Sequence, residues 1–328
     1  MKKLVMGANG FLGSHVARQL LQKGEDVKVM VRQGSDTRNI DDLSVEKCYG
    51  DIFNKDTVSA AMEGCDAVYY CIVDARAWLR DPAPLYRTNV EGLRNVPDVA
   101  LDAKLNKFIF TSSIVTIGLV DAGMASEETV FNWGDIGGDY AKSRIQAEEL
   151  VLSYAKTKGL PAVAMCVANT YGSNDRQMTP HGSTVAMAAK GKNPAYIKGI
   201  STEVVGIEDA AQAMTLAEDK GRVGERYIIS EQFADMRDIY RIAAETTGAK
   251  QPRLTIPLWV MYVFGALGDF ARWLLRKDYV LCTRSIKLMH IMSPMDHSKA
   301  VRELGWQPRP IEESIKEAAL FYTGDTSA

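Results

Sequence analysis

Little in this chain points to disulfide, metal or nucleic-acid chemistry. Its 328 residues hold five cysteines (Cys48, Cys65, Cys71, Cys166 and Cys282), odd in number, scattered and without a CxxC pair. They read as small thiols of a reducing compartment, not as a disulfide frame. The four histidines, His15, His181, His290 and His297, show no ligand spacing, so no metal site is expected. A net charge of −2 argues against a dedicated nucleic-acid binder, which is usually clearly basic. No Pro/Ser-rich linker or low-complexity tract divides the chain. A long uncharged apolar run is also missing. The stretch from Ile256 to Leu275 is interrupted by Pro257, Asp269 and Arg272, whereas a spanning helix wants about 20 apolar residues. The chain opens on a strand-like run, not a leader, which sets the expectation of a cytoplasmic protein. What remains is 46% apolar, enough for one large domain with a modest appendage.

What is present begins at once. Leu4, Val5 and Met6 form a short apolar run, Gly7, Gly10 and Gly13 space the turn after it, and Leu12, Val16 and Leu20 recur at helical intervals. Strand, glycine loop and helix are the context in which such spacing signifies phosphate binding. Gly7 suits the tight turn, Gly10 lets backbone N–H groups approach a pyrophosphate, and Gly13 lets helix and strand pack closely. The helix start adds unpaired N–H groups and the positive end of its dipole. A dinucleotide cofactor is the expectation.

The first half alternates strand-like and helical segments, the pattern of a doubly wound parallel sheet. Strands are expected at Lys3–Met6, Asp26–Val31, Glu46–Tyr49, Ala67–Cys71, Lys107–Thr111 and Ala162–Val167. Helices are expected at Gly13–Lys23, Lys55–Met62, Pro84–Leu101, Asp139–Lys158 and Glu208–Glu218. Beyond residue 172 the pattern loosens, with brief strand-like returns at Glu203–Gly206 and Arg226–Ile229.

The GxxGxxG spacing resembles the extended short-chain dehydrogenase/reductase superfamily, and further motifs carry that resemblance nearly end to end. They are Gly50-Asp51-Ile52, Thr88-Asn89-Val90-Glu91-Gly92, Thr111-Ser112-Ser113 followed by Gly118, and Tyr140 with Arg144. Later come Asn169-Thr170-Tyr171-Gly172, Glu208-Asp209-Ala210, and the Asp296–Lys299 to Gly305-Trp306 element. Within the superfamily the nearest look is to dihydroflavonol-4-reductase-like and 3β-hydroxysteroid-dehydrogenase-like members. The resemblance implies an α/β fold: a Rossmann domain over 1–172, rejoined at about 203–230, with a smaller, discontinuous, mainly helical substrate domain from 173–202 and 231–328.

It also implies site roles. Gly7, Asn9, Gly10, Phe11, Leu12 and Gly13 would form the phosphate loop. Arg32 and Arg38 stand where an Asp or Glu would favour NAD, and an arginine there can neutralise a 2′-phosphate. NADP is therefore favoured over NAD, unless both arginines are simply solvated. Asp51 and Ile52 would meet the adenine, Cys71 and Thr111 would line the cofactor by backbone, and Asn169 would lie near the nicotinamide. Asn89 would brace the active-site strands from the cofactor side. Ser113 and Tyr140 would be catalytic.

One departure stands out. The family's YxxxK places Lys one helical turn after the Tyr, on the same face; here Arg144 holds that position. Arginine keeps the charge and can bond both ribose hydroxyls, but it does not release a proton at neutral pH. Lys142, two residues from Tyr140, should face elsewhere. Three readings stay open: Arg144 works in the lysine's place, activity is weakened or lost, or the helix distorts and Lys142 serves.

The expected function is therefore NAD(P)-dependent interconversion of a ketone and a secondary alcohol. The alternatives are a nucleotide-sugar epimerase or dehydratase, for which residues 173–200 offer Arg176, His181, Lys190, Lys192 and Lys198, and a non-catalytic NADP-binding regulatory or assembly protein. Residues 256–275 are apolar around the whole helical circumference, more than one packed face can bury. This predicts a helical flap over a pocket for a bulky, lipophilic, sterol- or flavonoid-like substrate. A peripheral membrane contact through 256–277 is the intermediate reading, supported by Trp259, Trp273, Arg276 and Lys277. Pairing of two copies through the helices carrying Asn89 and Tyr140 is implied by analogy.

Overall fold

A computed structural model describes residues 1–324 of the chain. Seven strands form one parallel sheet in the order β3-β2-β1-β4-β5-β6-β10. They are β1 (Lys2–Met6), β2 (Asp26–Val31), β3 (Glu46–Tyr49), β4 (Ala67–Tyr70), β5 (Lys107–Ser113), β6 (Ala162–Val167) and β10 (Arg226–Ile229). Every residue of β4 and β6 is buried, as strands covered on both faces require. One face packs against α1 (Phe11–Gln22) and α7 (Ile207–Lys220). The other packs against α2 (Lys55–Met62), α4 (Leu93–Asp102) and α5 (Gly134–Lys158). Helix α4 is reached from α3 (Ala83–Tyr86) through a π-turn over Arg87–Gly92.

The order reverses between β1 and β4, which opens the crevice where a dinucleotide binds in such sheets. Gly7 lies at its mouth with φ +79°, a left-handed conformation that glycine adopts without a Cβ penalty.

The remaining elements build a second layer beyond the strand ends. A small sheet joins β7 (Asn169–Tyr171), β9 (Ser201–Gly206) and β11 (Gln232–Asp235), while β8 (Ala195–Lys198) pairs with β12 (Leu254–Pro257). Around these lie α6 (Pro180–Ala189), α8 (Met236–Thr247), α9 (Leu258–Leu275), α10 (Thr283–His290) and α11 (Ile311–Thr323). The division is architectural and not one of packing, because Met295, Ala300, Leu304 and Trp306 belong to the core of the large sheet. Trp306 is fully buried, and its Nε1 donates to the Asp209 carbonyl at 2.9 Å.

The expected elements lie where the sequence puts them, with two informative differences. The helix carrying Tyr140 starts five residues early, at Gly134, and is broken at Gly138 (φ +64°, ψ −160°). The regular helix therefore begins anew at Asp139. Helix α9, expected as a flap over a pocket, instead packs its glycine face on α10 and turns its apolar face outward. Gly265 is its only buried residue.

Candidate active site

The phosphate loop has the geometry its spacing implies. A Cβ on Gly13 would stand 2.4 Å from the Gly7 carbonyl oxygen, so this approach of helix to loop admits only glycine. The Gly10 N–H donates to that same carbonyl at 3.0 Å. No side chain caps the start of α1 and no acidic residue lies in its first turn. Its orphan N–H groups and dipole are thus left for an anion. Asn9 ties the loop to the next crossover: its Nδ2 donates to the Asp36 carbonyl at 3.3 Å, and its own carbonyl accepts from Asn39 Nδ2 at 3.1 Å.

At the end of β2, Arg32, Gln33, Gly34 and Ser35 share an open depression of about 530 Å³ with Gly50 and Asp51. Arg32 is exposed there. Arg38 does not line it. Its guanidinium is clamped by the Asp36 carboxylate, at 2.6 Å from Nη2 to Oδ2, and holds that carboxyl at about 2, well below its ordinary range. Asp51 accepts from the Phe53 N–H at 3.0 Å, so part of its carboxylate shapes the local turn. Ile52 is buried, packed beneath Gly92, where a Cβ would come within 2.5 Å of it. Cys71 continues the sheet by donating from its N–H to the Met6 carbonyl at 2.9 Å, and burial pushes its thiol up to about 11.

The catalytic candidates lie at the end of β5 and on α5, which packs against it. Arg144 is 1% exposed. Its Nη2 donates to the Thr111 carbonyl at 2.5 Å, and its guanidinium lies over the Phe110 ring at 5.4 Å. No carboxylate pairs with it among the described residues, and its Nε is buried without a partner. Lys142 points outward to Asp135 at 3.5 Å. Arg144, then, fills the family's lysine position, and the Gly138 break does not redirect Lys142 into the site. Tyr140 is half-buried in a small apolar cluster with Val115, Trp133 and Leu288. Val115 lies two residues beyond Ser113, whose Oγ accepts from the Val115 N–H at 3.4 Å, which leaves the hydroxyl proton free to donate. Ser113 is in register with Val167 of β6, which leads into Asn169. The Asn169 Nδ2 is occupied by Thr202 Oγ1 at 2.7 Å.

Asn89 is a brace. Its side chain exchanges two hydrogen bonds with the Asp74 backbone, at 2.8 and 3.0 Å, and reaches Ser143 Oγ at 3.1 Å. It thereby ties the loop after β4 to the Tyr140 helix.

Two arrangements escaped the sequence reading. Glu148, one turn beyond Arg144, is buried and pairs with Arg226 at 3.0 Å. It also accepts from Thr116 Oγ1 at 2.9 Å and from Ser112 Oγ. The spacing Tyr140, Arg144, Glu148 puts all three on one face of the helix, which is the signal that could have flagged Glu148. At the start of the same helix, Asp139 pairs with Arg284 of α10 at 2.9 Å and accepts from Tyr86 Oη at 3.4 Å.

The residues present fit a dinucleotide on two counts: the Gly7–Gly13 cradle that a Cβ would fill, and the buried, orphaned Arg144 Nε beside the end of β5. Comparison with known proteins agrees. A sequence model of the NAD dependent epimerase/dehydratase family matches residues 3–230. The chain is 30% identical to sterol demethylase protein B of Methylococcus capsulatus over 328 residues, covering 98% of each. It is 27% identical to a Synechocystis protein provisionally named dihydroflavonol 4-reductase, covering 97% of this chain and 93% of that one. Among solved structures, gox2253 superposes with TM-score 0.86 at 30% identity, covering 99% and 98% of the two chains. The UDP-glucose 4-epimerase of Thermotoga maritima shares the fold at TM-score 0.80 and 20% identity, over 99% of each chain.

Proposed function

The chain belongs to the NAD dependent epimerase/dehydratase family, within the extended short-chain dehydrogenase/reductase superfamily, and we propose that it interconverts a ketone and a secondary alcohol on a bulky lipophilic substrate, with NADP(H) as the preferred cofactor. The observation that carries this reading is the buried Arg144 on the Tyr140 helix, which donates to the Thr111 carbonyl two residues before Ser113 and whose Nε has no protein partner.

The nicotinamide cofactor supplies the hydride chemistry; the protein supplies position and electrostatics. In the reducing direction, the Tyr140 phenol gives its proton to the substrate oxygen, and the Ser113 hydroxyl donates a hydrogen bond to the same oxygen. Arg144, one helical turn after Tyr140, would hold the nicotinamide ribose hydroxyls with its guanidinium. An arginine cannot relay the proton itself, so Tyr140 regains it from solvent along its exposed side. Gly7, Gly10, Gly13 and the start of α1 would hold the pyrophosphate, and Arg32 the 2′-phosphate beside Asp51.

Support for a lipophilic substrate comes from the apolar cluster around Tyr140 and from the printed names of two relatives. One is the sterol demethylase protein. The other is a 4-hydroxy-2-methyl-3-oxo-4-farnesyl-3,4-dihydroquinoline-1-oxide ketoreductase of Stigmatella aurantiaca, 24% identical over 320 residues, covering 94% of this chain and 92% of that one. Two of the basic residues suited to a sugar nucleotide are engaged otherwise. His181 is half-buried and desolvation favours its neutral form, and Arg176 lies over the Phe321 ring at 5.8 Å.

The test is NADPH consumption by purified protein across hydrophobic ketones, small polar aldehydes and sugar nucleotides. The expected result is turnover on the hydrophobic set, reduced about a hundredfold or more in Tyr140→Phe with cofactor binding retained. Turnover confined to sugar nucleotides, or a fully active Tyr140→Phe, would overturn the reading.

A further inference from the structure

Helix α9 reverses the usual burial pattern. Trp259, Val263, Leu267, Phe270, Trp273 and Leu274 are 50–72% exposed. At 3.6 residues per turn they fall within an arc of about 120°, an unbroken apolar stripe on the solvent side. It is the one helix among the described residues long and apolar enough to cross a membrane, yet only 6% of it is buried.

The opposite face shows why it does not cross. A Cβ on Gly268 would stand 1.9 Å from the Leu281 carbonyl, and one on Gly265 would stand 2.5 Å from Ile286. Asp269 accepts from the Thr283 N–H at 3.1 Å and pairs with Arg272 at 3.2 Å, and Tyr262 Oη meets His290 Nε2 at 3.3 Å. This face is committed to α10, and insertion would strip those polar contacts in hydrocarbon. The two tryptophans stand about 21 Å apart along the stripe, and indole rings favour the headgroup level.

Cations flank both ends: Lys250 and Arg253 before β12, Arg276 and Lys277 after α9, all exposed. The sole acid within α9, Asp269, faces α10, and Asp278, exposed beside Lys277, accepts from the Arg80 N–H at 2.7 Å. Pairing of two copies through this face would set these cations against one another, in either helix direction. An anionic surface complements them.

We infer that α9 is an interfacial anchor, lying in the headgroup–acyl boundary of an anionic bilayer with its tryptophan stripe immersed. Through Arg284 and Asp139 the anchored unit connects to the first turn of the Tyr140 helix, one helix away from the lipid. The inference stands independently of the proposed reaction.

Flotation of the full-length protein with phosphatidylcholine vesicles, with and without phosphatidylglycerol, tests it. The expected result is binding to the anionic vesicles at least about tenfold stronger than to the neutral ones, with tryptophan quenching by lipids brominated near the headgroup. The triple variant W259S/F270S/W273S, changed only at solvent-facing positions, should lose binding while keeping its thermal midpoint and its NADPH affinity. The pair R276Q/K277Q, a second test that leaves the stripe intact, should lose the anionic preference. Absence of flotation, flotation unchanged in the triple variant, quenching only by deeply brominated lipids, or a solution dimer that the triple variant dissolves would each overturn the inference.

Discussion

The Arg144 guanidinium and the Thr111 carbonyl stand 2.5 Å apart, and this is the only hydrogen bond the buried side chain makes to protein among the described residues. A buried cation with one neutral partner costs folding free energy. Arg144→Met should therefore raise thermal stability by roughly 1 kcal/mol or more, while weakening NADPH binding at least about tenfold. Calorimetry and a cofactor titration on the same sample check the opposed signs; a fall in stability would show that Arg144 holds the fold and not the cofactor. Arg144→Lys is expected to give no higher turnover than the parent, since the site is built around the longer side chain. A strong gain would instead mark the chain as one whose activity has decayed.

Gly13→Ala places a Cβ against the Gly7 carbonyl, a backbone atom that cannot swing aside. The loop must shift, at a cost of about 1–3 kcal/mol. Cofactor binding should fall below detection in isothermal titration, with the protein still folded by circular dichroism.

Cofactor choice should rest on Arg32 alone. Arg32→Ala is expected to weaken NADPH about tenfold relative to NADH, the scale of one charge-assisted hydrogen bond. Arg38→Ala should alter that ratio less than about twofold, because Asp36 already occupies its guanidinium. Asp36→Ala, which releases Arg38, should raise the NADPH preference. Equal effects of the two arginine variants would show that both reach the 2′-phosphate.

His15, buried in the phosphate-binding helix, donates from Nε2 to the Ser173 carbonyl at 3.1 Å, and burial lowers it from 6.5 to about 4. The unfolded chain therefore binds a proton that the folded chain refuses between these values, so stability falls as pH drops through that window. The full contribution is about 3 kcal/mol. Denaturant midpoints measured from pH 7 to pH 4 should fall less steeply in His15→Gln than in the parent; parallel slopes would refute the assignment.

What the sequence made legible follows a physical division. β2, β6 and α2 have the boundaries expected, because local apolar runs and the Asn54 cap are properties of neighbouring residues. The helix expected from Asp139 restarts there because Gly138, with φ +64°, breaks the turn before it. The Glu148–Arg226 pair spans 78 positions, and nothing local in either segment announces it. The outward turn of α9 was hidden for a related reason. Periodicity reports that a helix is apolar; which face its neighbours cover depends on Gly265 and Gly268 meeting α10. Arg38 pairs with Asp36 only two residues away, and sequence order alone does not say where an exposed guanidinium turns.

Trp306 carries a consequence for the chain's modularity. Every strand of the large sheet is complete by Ile229, so a fragment cut there would look like an autonomous nucleotide-binding unit. It would lack Leu304 and Trp306, which close the sheet's core beside α7. Losing a buried tryptophan alone costs about 3–5 kcal/mol, a large share of the stability of a typical protein. The two halves are accordingly interdependent. The polypeptide must be finished before its first half is secure, and recombination that exchanges the substrate half must bring along its own plug for the neighbour's core.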